Sequence, residues 1–200
     1  MRKITYLFIS ITIAGILSLL VFAFTSNGDG SLKNISKVEN FTLKDYKGKS
    51  HSLSDYKNSK AIVLMFISTK CPVSNSYNEK MKELYDYYNS KNIAFIGINS
   101  NKTESIDDIK EHAQDHNFNF TILKDWNNVI ANKLDAQVTP EIYVLNSDFD
   151  VLYHGRIDDA RGAGPAKNRD LKNALDKILS GKKVAVERTR AMGCTIKRVD

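Results

Sequence analysis

Apolar positions along this chain follow two periods, and the switches between them mark its elements. Ala61–Ile67 is an unbroken apolar run rich in bulky and β-branched residues, the pattern of a strand buried on both faces. Ser68, Thr69 and Lys70 end the run, and Cys71-Pro72 follow. Beyond them Tyr77, Met81, Leu84, Tyr85 and Tyr88 recur at helical spacing, which predicts a helix to about Ser90. Val38–Leu43 and Lys49–Leu53 read as two short strands around the turn Asp45-Tyr46-Lys47-Gly48. Ile93–Ile98 is a second apolar strand. A helix from about Glu104 to His116 turns Ile106, Ile109 and Ala113 inward, and Phe120–Leu123 is a short strand. Val129, Ile130 and Leu134 mark a short helix. Val138-Thr139-Pro140 leads into the strand Glu141–Leu145, and Val151–Ile157 returns as its hairpin partner. After a glycine-bearing loop, Leu171, Ala174, Leu175, Ile178 and Leu179 define a last amphipathic helix, stopped by Gly181.

This order predicts a three-layer α/β/α sandwich over residues 38–181, its mixed central sheet parallel in the first part and antiparallel at the terminal hairpin. Ahead of it, Ile4–Phe24 is an apolar run of bilayer-spanning length preceded by Arg2 and Lys3, which predicts an N-terminal hydrophobic helix with a cytoplasmic start. Residues 1–24 are therefore expected to be a membrane anchor, the alternative being a cleaved signal, with 25–37 a polar linker. Either way the domain faces the extracytoplasmic (periplasmic) side, anchored or secreted, where disulfides form. The net charge of +6 changes the picture only at the end. Lys182, Lys183, Arg188, Arg190, Lys197 and Arg198 make 182–200 a basic tail, and its few large apolar residues predict a mobile one. No basic groove interleaved with aromatics is present, so nucleic acid is not an expected partner.

The candidate chemistry centres on Cys71. It stands where a buried strand ends and a helix opens with proline, a place where unpaired backbone N–H groups and the helix dipole stabilise a thiolate. Ser74 completes Cys-Pro-Val-Ser, and its hydroxyl is placed to donate to that thiolate. The chain has two cysteines, and the second, Cys194, follows Gly193 in the tail. It reads as a surface thiol, as half of a structural bridge, or as the resolving thiol for an oxidised Cys71, and the last is the expectation carried forward. His112 and His116 share one helix four residues apart, with Glu111 and Asp115 beside them, but the helix lacks the metalloprotease arrangement and they read as a solvated polar face. No metal or other cofactor is expected.

The stretches FISTKCPVSNSY, AFIGINSN, LKDWNNVIANKLDAQVTPEIYVL, HGRIDDARG, RDLKNALDKILSGKKV and MGCTIK together resemble the redoxin, or peroxiredoxin-like, branch of the thioredoxin-fold superfamily. The resemblance runs from about residue 38 to the C-terminus and implies a thioredoxin-like fold, a thiol oxidoreductase activity, Cys71 as the attacking thiol and Pro140 as a cis-proline beside it. Thr139, Pro72 and Thr69, which flank those two residues, are expected to bind substrate. Two departures stand out: Leu64 replaces the proline and Ser68 the threonine of a peroxiredoxin nucleophile motif, and Ser74 replaces the second cysteine of a thioredoxin pair. The expected substrate is a thiol or disulfide protein, or a peroxide, with a separate thiol reductant. The competing expectation is a non-catalytic binding or assembly module, for example in metal handling. Such modules are built on Cys-x-x-x-Cys and a histidine, and position 75 here is Asn.

Overall fold

The computed structural model describes residues 35–160 and 162–199. The expected anchor and most of the linker lie outside the described residues, and no described helix is long and apolar enough to cross a membrane. The strands are β1 (Thr42–Asp45), β2 (Ser50–Ser52), β3 (Ala61–Phe66), β4 (Ile93–Asn99), β5 (Thr121–Lys124), β6 (Val138–Thr139), β7 (Glu141–Leu145), β8 (Val151–Gly155) and β9 (Cys194–Thr195). The helices are α1 (Pro72–Asn75), α2 (Asn78–Asn89), α3 (Ile106–Asp115), α4 (Val129–Leu134) and α5 (Asp170–Leu179).

β3 is fully buried along its length and lies inside a seven-stranded sheet of order β2-β1-β5-β4-β3-β7-β8. It pairs in parallel with β4 from Ala61↔Ile93 to Phe66↔Ile98, and antiparallel with β7 from Ile62↔Leu145 to Phe66↔Glu141. Its side chains alternate between two apolar layers, as the two-residue period of a strand requires. Ala61, Val63 and Met65 pack with Tyr77, just ahead of α2, and with Met81, Ile109 and Leu175 from α2, α3 and α5. Ile62, Leu64 and Phe66 pack with Ile130 and Leu134 of α4, with Val38 and Phe41, and with Ile196 of the tail. The mixed, thioredoxin-like α/β/α sandwich is therefore present, with antiparallel pairs at both edges because β1 joins β5 as well as β2.

Three expectations shift. The helix after Cys71 is not continuous: α1 is one turn, and α2 starts at Asn78 after a break at Ser76 and Tyr77. Glu104 does not begin α3. Ser105 caps that helix through a capping box with Asp108, and the Glu104 side chain turns into the protein. His112 is buried rather than solvated, its ring 4.5 Å from that of His116 and 5.7 Å from that of Phe118. Burial, and then the neighbouring His116, push its pKa down to about 4. Among the described residues no cluster of three His, Cys, Asp or Glu side chains could hold a metal.

The tail departs most from expectation. After α5 it runs along the outer edge of β8, with Thr189 N–H donating to the His154 carbonyl at 3.0 Å. It then crosses to β6, where β9 pairs antiparallel with Thr139 opposite Cys194. Ile196 N–H donates to the Gln137 carbonyl at 3.0 Å, Lys197 N–H to Asn101 at 2.8 Å and Val199 N–H to Asn128 at 2.7 Å. Composition predicts a loose tail because it counts apolar side chains, whereas backbone hydrogen bonds to β8 and β6, the Asn101 and Asn128 side chains and the buried Ile196 hold this one.

Candidate active site

The loop between β3 and α1 is fixed by hydrogen bonds that the apolar pattern does not reveal. Cys71 N–H donates to Ser68 Oγ at 2.9 Å, and Ser68 N–H donates to Ser74 Oγ at 3.1 Å. Ser68 Oγ in turn donates to Glu104 Oε1 at 2.5 Å. The other Glu104 oxygen accepts from Thr69 N–H at 2.7 Å, Thr69 Oγ1 at 3.0 Å and Asn99 Nδ2 at 2.5 Å. Glu104 is 2% exposed, and a carboxylate so buried is tolerated because each oxygen is hydrogen-bonded. Beneath it Lys124 donates to Asn99 Oδ1 at 2.8 Å and to the Asn101 carbonyl at 2.7 Å, and burial lowers its pKa. Glu104 escapes sequence reasoning because nothing in a local pattern shows a side chain reaching back 35 positions to Thr69.

Cys71 occupies the N-cap of α1, and its sulfur accepts from the Ser74 backbone N–H at 3.3 Å. This alters the expected activation in two ways. The Ser74 hydroxyl is engaged with Ser68 and is not the group that reaches the sulfur. α1 is also a single turn and lacks the aligned peptides of a long helix, so the group directed at the sulfur is the Ser74 backbone N–H. Pro72 takes the first position of α1, as expected.

The Thr139–Pro140 peptide bond is cis, and the Thr139 carbonyl oxygen lies 3.4 Å from Cys71 Sγ. Across 123 positions of sequence Cys194 meets Cys71 in a disulfide, with Cα atoms 5.9 Å apart. Cys71 is buried and Cys194 partly exposed, so the tail cysteine is the more exposed residue of the bridge. Gly193 makes the approach feasible, because a Cβ there would overlap the Thr139 carbonyl.

Beside the bridge lies a groove of about 470 Å³, lined by Pro72, Val73, Pro140, Ile157 and Met192 on its apolar walls. Its polar end carries Arg156 and Asp158. The Arg156 Nε donates to Asp170 at 2.7 Å, and Lys80 pairs with Asp158 at 2.7 Å. Tyr77 Oη is 2.9 Å from Asp158 and 2.6 Å from the Ala160 carbonyl. Burial and the Asp158 carboxylate push its pKa up to about 12, so the phenol remains a proton-bearing donor. Of the residues expected to bind substrate, Pro72 lines this groove, beside the cis-proline Pro140, and Thr139 lies at the bridge with its carbonyl oxygen next to Cys71 Sγ. Thr69 points elsewhere, its hydroxyl on Glu104 and its carbonyl accepting from Asn75 Nδ2 at 2.9 Å.

Comparison with known proteins gives the family and the fold. Residues 36–158 match the AhpC/TSA family. A crystal structure of a hypothetical protein from Sinorhizobium meliloti is similar at 28% identity and a TM-score of 0.79, covering 84% of this chain and 96% of its own. An uncharacterized conserved protein from Geobacillus kaustophilus is similar at 28% identity and a TM-score of 0.78, with coverages of 84% and 93%. The thioredoxin domain of a thiol-disulfide oxidoreductase from Bacteroides vulgatus shares the fold at 18% identity and a TM-score of 0.60, with coverages of 74% and 99%. No curated protein sequence matches the chain.

Proposed function

Because the chain belongs to the AhpC/TSA family, we propose that it is an extracytoplasmic thiol–disulfide oxidoreductase that cycles through the Cys71–Cys194 bridge. The observation that carries this reading is the bridge itself, which joins the thiol after the central strand to the tail thiol beside a cis-proline. In the reduced protein the Cys71 thiolate attacks one sulfur of a substrate disulfide. A mixed disulfide forms and the other substrate sulfur leaves as a thiolate. Cys194, as thiolate, then attacks the Cys71 sulfur, releasing the second substrate thiolate and closing the bridge. The two electrons have passed from Cys71 and Cys194 to the substrate, whose thiolates take up protons from solvent.

Regeneration by a dithiol partner runs through Cys194, the more exposed residue of the pair. The incoming thiolate attacks Cys194 Sγ, and Cys71 departs as the thiolate that Ser74 N–H stabilises. A better-stabilised thiolate leaves faster. The partner's second thiolate then attacks the partner sulfur bound to Cys194, releasing Cys194 as a thiolate and closing the partner's own disulfide. A disulfide is favoured over a peroxide as oxidant because the Ser68 hydroxyl is spent on Glu104 and on the Cys71 N–H, leaving it unable to hold a peroxide oxygen against the sulfur. Membrane tethering through residues 4–24 would keep the domain in a compartment where disulfide substrates occur.

The test is to react the reduced protein with a model disulfide and, separately, with hydrogen peroxide, then map the products by mass spectrometry without reductant. The expected product of the first reaction is the linked Cys71–Cys194 peptide, formed faster than with peroxide at equal concentration. Oxidation of Cys71 with no linked peptide would overturn the resolving role, and faster reaction with peroxide would overturn the choice of oxidant.

A further inference from the structure

Away from the thiols a buried acid and imidazole join the two places where the tail is fastened. Glu141, the residue after Pro140, is 2% exposed. Its Oε2 accepts from Gln137 N–H at 2.7 Å and from Val138 N–H at 3.1 Å, so the carboxylate grips the peptide groups that lead into and open β6. Its Oε1 is 2.6 Å from His154 Nε2. His154 is 4% exposed, stacks on Tyr143 with ring centroids 4.0 Å apart, and places Nδ1 3.0 Å from the Arg188 guanidinium. A guanidinium can only donate, so Nδ1 carries the lone pair and Nε2 the proton that goes to Glu141. The imidazole in this arrangement is neutral, linking a carboxylate on the β6 side to a cation on the tail.

The backbone is fastened at the same points. His154 N–H donates to the Glu187 carbonyl at 2.9 Å, and on the far side of β6 the Gln137 carbonyl accepts from Ile196 N–H at 3.0 Å. The segment 190–195, which carries Cys194, is thus suspended between two anchors that one side-chain relay joins. We infer that Glu141 and His154 are positioning residues for the resolving step, holding β6 and the 187–189 segment in the arrangement that presents Cys194 to Cys71. The inference rests on the reversible bridge proposed above. Pinning both ends of a short segment removes conformations in which the thiols are apart, which raises the effective concentration of one at the other. A carboxylate is required because it accepts on both oxygens. The amide of Glu141→Gln would turn its NH₂ either toward the β6 N–H groups or toward the imidazole N–H, a donor against a donor in both orientations. Shifting the imidazole proton would only move that conflict to Arg188.

The full-length protein, in mild detergent, is equilibrated with glutathione. Two glutathione thiols reduce the bridge to two cysteine thiols, supplying two protons and two electrons and becoming glutathione disulfide. Alkylation and mass spectrometry give the bridged fraction, and from it the effective concentration. Glu141→Gln and His154→Phe are expected to lower that value roughly tenfold, with Glu141→Asp recovering part of the loss. Damage to the fold that acts equally on both redox states would leave this equilibrium unmoved, so the readout separates positioning from bulk stability. Arg188→Ala, at an exposed position of the tail, is expected to act in the same direction and keeps the test decisive if the buried variants do not fold. Values within about twofold of the unaltered protein in every variant that folds would overturn the inference alone. A bridge that glutathione never opens in the unaltered protein would overturn the reversible reading, and the inference with it.

Discussion

Gly193 and Ser68 show how single residues set the chemistry of Cys71. Any side chain at 193 would meet the Thr139 carbonyl, so Gly193→Ala must push β9 off β6 or strain the backbone. We expect Gly193→Ala to slow closure of the bridge after oxidation by about tenfold or more, read as the rate at which the linked peptide appears. Ser68 Oγ takes the Cys71 N–H and gives its own proton to Glu104, so Ser68→Ala leaves a buried amide and a buried carboxylate each short of a partner. The expected cost is about 1–3 kcal/mol in denaturant unfolding. In a Cys194→Ser background Cys71 should titrate below the free-thiol value of about 8.5, because the Ser74 N–H stabilises the thiolate. Alkylation rate against pH checks this, and a midpoint at or above the free value would contradict it. Ser74→Ala should barely move that midpoint, since the backbone N–H that meets the sulfur is retained.

At the scale of elements, the tail acts as a strap on the sandwich. Ile196 is 3% exposed and belongs to the apolar layer formed with α4 and with Ile62, Leu64 and Phe66. Truncation to alanine there should cost about 2–5 kcal/mol while the strap is docked. If reduction lets β9 leave β6, the same substitution should cost distinctly less in the reduced protein. Thermal or denaturant unfolding of Ile196→Ala in the two redox states measures the difference. An equal cost in both states would show that the tail remains seated when the bridge opens. Hydrogen exchange at the amide of Ile196, which donates to Gln137, reports the same event.

For the whole molecule, His112 sets one pH dependence. Its folded pKa of about 4 lies below the ordinary value of 6.5, because the charged form is disfavoured by burial and by His116 more than it is favoured by Glu104 and Asp115. The unfolded chain therefore binds the proton first. The contribution of a neutral His112 is complete above about pH 6.5 and is lost as pH falls from there toward 4. His112→Phe, which keeps the packing on Phe118, should flatten the fall in unfolding midpoint over that interval. The sandwich and its central strand are legible in the order of residues alone, since a two-sided apolar run and helical stripes follow from which residues must leave water. That order also places Cys71 where a buried strand ends and a helix opens with Pro72, because such a junction is a local signal. The folded chain alone reveals that the helix after Cys71 breaks at Ser76 and Tyr77, that Glu104 braces the Cys71 loop and that Glu141 reaches His154. The same holds for the tail, which is seated so that Cys194 lies against Cys71. These features depend on hydrogen bonds between positions remote in the chain, and a pattern of polar and apolar neighbours carries no record of which distant donor meets which acceptor.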